Sequence, residues 1–131
     1  MTVLVDTSAL YALLDEDDAN HALAVRGWTR LLAAELPTAH AYVVLETSAL
    51  VQRRLGMAAV HRLHRGLLPV VGVTTVDAST HLRVVERWFT EGIRNLSLVG
   101  VTSFVVMRDQ GLGRAFAFDD DCAPEGFSLW A

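Results

Sequence analysis

Val3-Leu4-Val5-Asp6-Thr7-Ser8-Ala9-Leu10 is the stretch that decides the fold. Three apolar residues run straight into an acid and two hydroxyl residues, and apolar residues then resume. A buried strand delivering the chain directly into a helix N-terminus explains that order. The spacing predicts a strand ending at Val5, with Asp6 at its carboxyl end, and a short helix through Leu14.

Working outward, strand and helix patterns alternate. Asp15 to Asn20 is a polar break, and Ala22 to Leu36 has helical spacing and stops before Pro37. Thr38 to His40 is a brief extended piece. Tyr42 to Leu55 predicts a long helix ending near Gly56, and Ala58 to Leu68 a third. Val70 to Val73 reads as a strand. Asp77 to Glu91 is an amphipathic helix with Leu82, Val85 and Phe89 on one face, Asp77 as its cap and Gly92 as its stop. Leu96 to Val99 is expected to be an extended approach to a helix over Thr102 to Arg108 that breaks near Gly111. Ala115 to Phe118 reads as a buried strand ending at Asp119, and Phe127 to Trp130 as an edge strand. The expected architecture is one α/β domain over residues 1–131, a three-layer α/β/α sandwich with a mainly parallel central sheet. In such sheets ligands bind beyond the carboxyl ends of the strands.

Composition narrows the functional classes. Of 131 residues, 52% are apolar and the formal net charge is −4, which supports a packed core and excludes a disordered chain. The longest uncharged apolar-leaning run, Leu96 to Met107, is too short to span a bilayer. No basic segment followed by an apolar one opens the chain, and Cys122 has no partner for a disulfide, so a cytoplasmic protein with no membrane association is expected. Every basic side chain besides histidine is arginine, which excludes phosphate sites that need lysine, including the P-loop. Arg53, Arg54, Arg62 and Arg65 gather positive charge with His61 and His64, and with Arg108 and Arg114 they are candidates for binding phosphate groups.

Three acids sit where acids are costly. Asp6 ends a hydrophobic strand, Glu46 lies within the mostly apolar Tyr42-Val43-Val44-Leu45-Glu46-Thr47-Ser48-Ala49-Leu50, and Asp119 follows the run Ala115 to Phe118. Burying an ionised carboxylate costs several kcal/mol unless it is paired or binds a cation. If the three converge, mutual repulsion adds to that, and a divalent cation relieves both penalties. Oxygen donors without His or Cys favour Mg²⁺, with Mn²⁺ as a substitute. Such a site supports hydrolysis of phosphodiesters by metal-activated water. No serine stands in the Gly-x-Ser-x-Gly setting of a hydrolase elbow. A haloacid-dehalogenase-like phosphatase would need an acid two residues after Asp6, and a phosphoreceiver domain needs a lysine, so neither fits.

These residues resemble a known family. Residues 3–10 are similar to the opening motif of PIN domains, and Tyr42 to Thr47 to the second, with its helical Glu. Leu96 to Gly100 with Thr102 to Arg108 resembles the third, and Ala115 to Asp119 with Gly126-Phe127 the fourth. The likeness spans essentially the whole chain in order, and in small stand-alone chains it points to VapC-type toxins of type II toxin–antitoxin pairs. It implies a Mg²⁺- or Mn²⁺-dependent endoribonuclease that forms a homodimer and is held inactive by a cognate VapB-type antitoxin. It makes Asp6, Glu46 and Asp119 the catalytic and metal-binding residues, with Thr7, Ser8 and Ser103 as supporting polar neighbours. Asp121 adds charge near the fourth motif without a ligand role.

One position departs. After Leu96-Ser97-Leu98-Val99 the family carries an Asp, and this chain has Gly100. Weaker metal binding and impaired catalysis are therefore expected. The glycine is either a deliberate, disabling substitution, to which the intact flanks point, or the mark of a naturally degenerate member. The competing reading is a PIN-fold module that binds antitoxin or RNA without cutting.

Overall fold

The computed structural model describes residues 1–91, 96–119 and 128–130. Its elements are β1 (Thr2–Val5), α1 (Thr7–Leu14), α2 (His21–Ala34), β2 (Leu36–His40), α3 (Ala41–Leu55), α4 (Met57–Arg62), β3 (Gly72–Thr74), α5 (Ala78–Glu91), α6 (Leu98–Gln110), β4 (Arg114–Phe116) and β5 (Ser128–Leu129). The strands form one five-stranded sheet in the order β3-β2-β1-β4-β5, and every pairing is parallel. The expected α/β architecture with a parallel sheet is what the chain adopts.

Side-chain alternation explains the layers. Val3 and Val5 join one core with Ala9, Leu10, Trp28, Leu31, Val43, Val51, Leu63 and Phe116. Leu4 points the other way, into a core with Val84, Val101, Phe104, Met107 and Ala115. Successive strand residues face opposite sides of a sheet, so β1 and β4 serve both cores. Helices α1 to α4 therefore cover one face, and α5 and α6 the other. β2 and β3 extend to one side of β1, whereas β4 returns to its other side. The topological switch lies between β1 and β4, where a doubly wound sheet opens a crevice at its carboxyl edge.

Several expectations need correcting. Leu96 to Val99 is not an extended approach: Ser97 caps α6 by accepting from Gly100 N at 3.0 Å, so the helix opens at Leu98. On α5, Leu82 and Phe89 are exposed and Val84 is fully buried. That helix packs on α6 through Val84 and Trp88, and Trp88 Nε1 donates to Leu96 O at 3.0 Å. The stripe with the better packing wins over the one that looked more apolar. Asp77 caps α5 as expected, accepting from Thr80 N at 2.8 Å. The predicted helix to Leu68 breaks up: a π turn spans Leu63–Leu67 and a 3₁₀ turn Leu68–Val70, so the third strand starts at Gly72. Gly92, Asp121, Gly126 and Phe127 lie outside the described residues.

At the middle of α2, Gly27 packs directly on the Phe116 ring. A Cβ there would come 3.0 Å from Phe116 Cε1 and 3.2 Å from Cζ. Phe116 is itself fixed between Trp28 and Phe118, at centroid distances of 6.4 and 5.7 Å. Gly27→Ala gains up to about 1 kcal/mol of helix propensity. It overpacks a ring with little room to move, a cost of about 1–3 kcal/mol. Denaturant unfolding should show Gly27→Ala net destabilised by roughly 1 kcal/mol, and a stabilised variant would mean that the ring yields freely.

Candidate active site

At the carboxyl end of β1, Asp6 is the N-cap of α1, and both hydrogen bonds to its carboxylate fall on one oxygen. Oδ2 accepts from Ser8 N at 3.1 Å and from Ser8 Oγ at 2.8 Å. Ser8 Oγ in turn accepts from Phe118 N at 3.0 Å. One hydroxyl thus ties the first acid to the residue before Asp119. The backbone adds a second tie, Asp6 N donating to Phe116 O at 3.0 Å. The result is a small cavity of about 30 Å³ lined by Leu4, Asp6, Gly100, Ser103, Phe104, Met107, Ala115 and Asp119.

The structure therefore brings Asp6, Asp119, Ser103 and Gly100 to one cavity. Glu46 lines an adjoining groove of about 350 Å³ with Tyr42, Leu45, His81, Leu98 and Val99. Both spaces border the first turn of α6, where Val99 lines one and Gly100 the other. Thr7 is buried and joined to Thr47, whose Oγ1 donates to Thr7 Oγ1 at 3.0 Å. That bond fixes the start of α1 against α3, one residue from Asp6 on one side and one from Glu46 on the other.

Sequence reading passed over His40, which occupies the same edge. It is fully buried at the carboxyl end of β2 and caps α3, its Nδ1 accepting from Val43 N at 3.3 Å. With Nδ1 an acceptor, the neutral ring carries its proton on Nε2. Nε2–H then donates to Ser103 Oγ at 2.8 Å, and the Ser103 hydroxyl donates to Val99 O at 3.2 Å. His40 thus orients the serine lining the acid cavity. Burial pushes its pKa down from 6.5 to about 4. The signal available in sequence was a lone His closing an apolar strand immediately before a helix.

The arginines separate. Arg114 starts β4, and its Nη2 donates to Glu35 Oε1 at 2.7 Å while the guanidinium lies 4.9 Å from the Trp130 ring centre. Glu35 also takes the Met1 amine at 2.9 Å. This cluster sits at the amino ends of the strands, opposite the acid cavity, and gives Arg114 a structural role there. Arg108 is in the last turn of α6, far along that helix from Gly100, and is itself engaged in the fold. α6 and β4 thus place Arg108 and Arg114 away from the cavity edge, although both flank the third and fourth motifs in sequence. Arg53 is exposed on α3, and Arg54 lies over the Tyr11 ring at 5.6 Å.

Among the described residues no three His, Cys, Asp or Glu side chains are grouped closely enough to enclose a metal. Two carboxylates and a hydroxyl line the cavity, an all-oxygen set. That set suits Mg²⁺, which is commonly held by one or two carboxylates with waters and substrate phosphates completing its shell. The first turn of α6 offers a place for a third carboxylate. A Cβ at Gly100 would meet Leu96 Cδ1 at 2.8 Å and Ser97 Oγ at 3.5 Å. The close approach is to the free end of a flexible side chain, so an acid is sterically admissible once Leu96 rotates.

No protein-family model matches the chain. It is 37% identical over 126 residues, 95% of each chain, to the 23S rRNA-specific endonuclease VapC20 of Mycobacterium tuberculosis. The crystal structure of that protein, described as a sarcin–ricin loop cleaving toxin, superposes with a TM-score of 0.83 at 34% identity over 95% of both chains. FitAcB from Neisseria gonorrhoeae superposes at 0.70 with 16% identity over 100% of this chain and 97% of that one, a likeness of fold alone.

The buried imidazole gives the molecule a pH-dependent stability with a definite sign. Unfolded, His40 takes up a proton as pH falls through about 6.5; folded, it resists until about 4. Its contribution is complete above pH 6.5 and is lost as pH falls toward 4, about 3 kcal/mol in all. Asp15, whose carboxylate is held by the Tyr11 hydroxyl, and Glu35, held by the terminal amine, have lowered values and lose their contributions at lower pH still. Asn can cap α3 but does not titrate, so His40→Asn should flatten unfolding free energy between pH 4 and 6.5. A slope unchanged by this substitution would assign the dependence to other groups.

Proposed function

Because the chain belongs to the PIN-domain family of VapC-type toxin ribonucleases, we propose that it is an endoribonuclease toxin working through the cavity between β1 and β4. The observation carrying this reading is that Asp6 and Asp119, far apart in sequence, line one cavity at the sheet's switch point together with Ser103 and Gly100. The specificity of the 37% identical relative makes 23S rRNA the first substrate to try.

Asp6 and Asp119 would hold Mg²⁺ or Mn²⁺, with Glu46 acting from the adjoining groove. When bound, the divalent cation supplies Lewis acidity, activating water and offsetting charge on the phosphate oxygens. The chain's own residues prepare that site. Ser8 engages only Oδ2 of Asp6, which leaves Oδ1 for the cavity. Ser103, oriented by His40, offers its oxygen to a guest without moving. Thr7 and Thr47 keep Asp6 and Glu46 on a rigid base. The absent carboxylate at Gly100 weakens metal retention and so impairs cleavage.

An antitoxin of the VapB type and a second copy of the chain are the proposed protein partners. The groove beside Glu46 is mostly apolar, and Leu45, Leu82 and Phe89 are each more than half exposed on α3 and α5. Surface of that kind is commonly covered by a partner. A second reading, a module that binds RNA or antitoxin without cutting, is favoured by Gly100 alone.

Restoring the missing acid separates the two. Gly100→Asp should bind Mn²⁺ at least about tenfold tighter by calorimetry and cut 23S rRNA, while the parent chain does so weakly or not at all. Adding Asp6→Asn should abolish both gains. If Gly100→Asp neither binds metal nor cuts RNA, the nuclease reading fails and the binding module takes its place.

A further inference from the structure

The chain is acidic overall, yet its charge is sharply partitioned. Between Glu46 and Asp77 there are four of the eleven arginines and none of the fifteen acids. That stretch has a formal charge of +4, and the remainder, with seven arginines against fifteen acids, has −8. The stretch comprises most of α3, all of α4 and the π and 3₁₀ turns that follow, and it is one packed unit.

The fold aligns this unit with the acid site. α3 begins at His40, on the site edge, and leads away from it. Arg53 follows Glu46 by seven residues, two turns along the same stripe, about 10 Å farther on. After the turn at Gly56, α4 comes back alongside α3. His64 Nε2 donates to Ser48 Oγ at 2.8 Å, which brings the π turn level with the residues just beyond Glu46. Arg53, His61, Arg62, His64 and Arg65 are all exposed. A depression lined by Met57, Val60, His61, His64 and Arg65 gives this basic surface a concave strip. Single-turn π segments inside helices are frequent at functional sites, and here one carries His64 and Arg65.

We propose that the α3–α4 arm is the track that holds the phosphate backbone of the RNA as it leaves the acid cavity. Guanidinium groups suit phosphate oxygens, and an arm with four arginines and no acid, on a chain that is net acidic elsewhere, offers a polyanion a favourable path. Arg53, Arg62 and Arg65 hold the phosphates. Arg54, stacked on Tyr11, steadies the arm instead. The inference rests on the ribonuclease reading, because it takes RNA to be the ligand of the neighbouring cavity.

Binding of the parent protein to a fluorescein-labelled single-stranded RNA, followed by anisotropy without added metal over a range of salt, tests the track apart from catalysis. Arg62→Glu/Arg65→Glu should bind at least about tenfold more weakly at low salt. The milder Arg62→Ala/Arg65→Ala should reduce the salt slope by about 0.7 for each phosphate that is no longer neutralised. Arg26→Glu, on an exposed face of α2, should leave both quantities unchanged, and circular dichroism should report native folding for every variant. Arm variants that bind like the parent, or an Arg26→Glu variant that weakens as much as they do, would overturn the track. If those arm variants bind normally while Gly100→Asp cuts RNA, the track alone falls. If the parent binds no RNA and Gly100→Asp cuts none, the nuclease reading falls with it.

Discussion

The structure depends on one constraint: β1 is buried on both faces, and its next residue is an acid. Val3, Leu4 and Val5 have essentially no exposed surface, and their alternation assigns α1 to α4 to one side of the sheet and α5 and α6 to the other. A strand so enclosed cannot slip by one residue without exchanging its two cores. Asp6 therefore emerges at a fixed height and toward the α6 side. Its neighbours are fixed in turn by Ser8, which gives its proton to Asp6 and a lone pair to Phe118 N–H. The site edge is rigid because its polar groups satisfy one another, and it is built before any ligand arrives.

What the sequence revealed and what it hid follow from the range of the interactions. Strands, long helices and the acids that end them were legible because burial periodicity and capping are local. The parallel sheet and its sandwich followed from alternation of elements. The first turn of α6 was misread because Ser97 sits one residue inside an apolar run, where a cap and a strand residue look alike. On α5 two stripes competed, and only packing against α6 selects Val84 and Trp88. The π turn also escaped, since nothing local distinguishes it from continued α-helix.

The site was legible in its acids and in Thr7, Ser8 and Ser103 beside them, but not in the residues that hold those in place. Asp6 and Asp119 were marked by hydrophobic strands ending in charge, whereas His40, Thr47 and Phe118 matter through hydrogen bonds to residues 40 to 110 positions away. The arginines show the converse. Arg114 looked close to the acids along the chain, but a strand three residues long carries it to the Glu35 cluster. Distance in sequence is a poor guide to the two ends of a parallel sheet, because every strand begins at one and finishes at the other.

The partition of charge has a consequence for encounter kinetics. A molecule with +4 on one arm and −8 on its remainder is electrically asymmetric, and the field of a polyanion exerts a torque on such a molecule before the two surfaces meet. The net-acidic remainder would disfavour the approach of a polyanion, so encounters would narrow to orientations that present the arm. Net charge thus works as an angular filter, lowering the frequency of collisions while raising the fraction that arrive aligned. Added salt, by shortening the range of both attraction and repulsion, blunts that filter as well as weakening the grip.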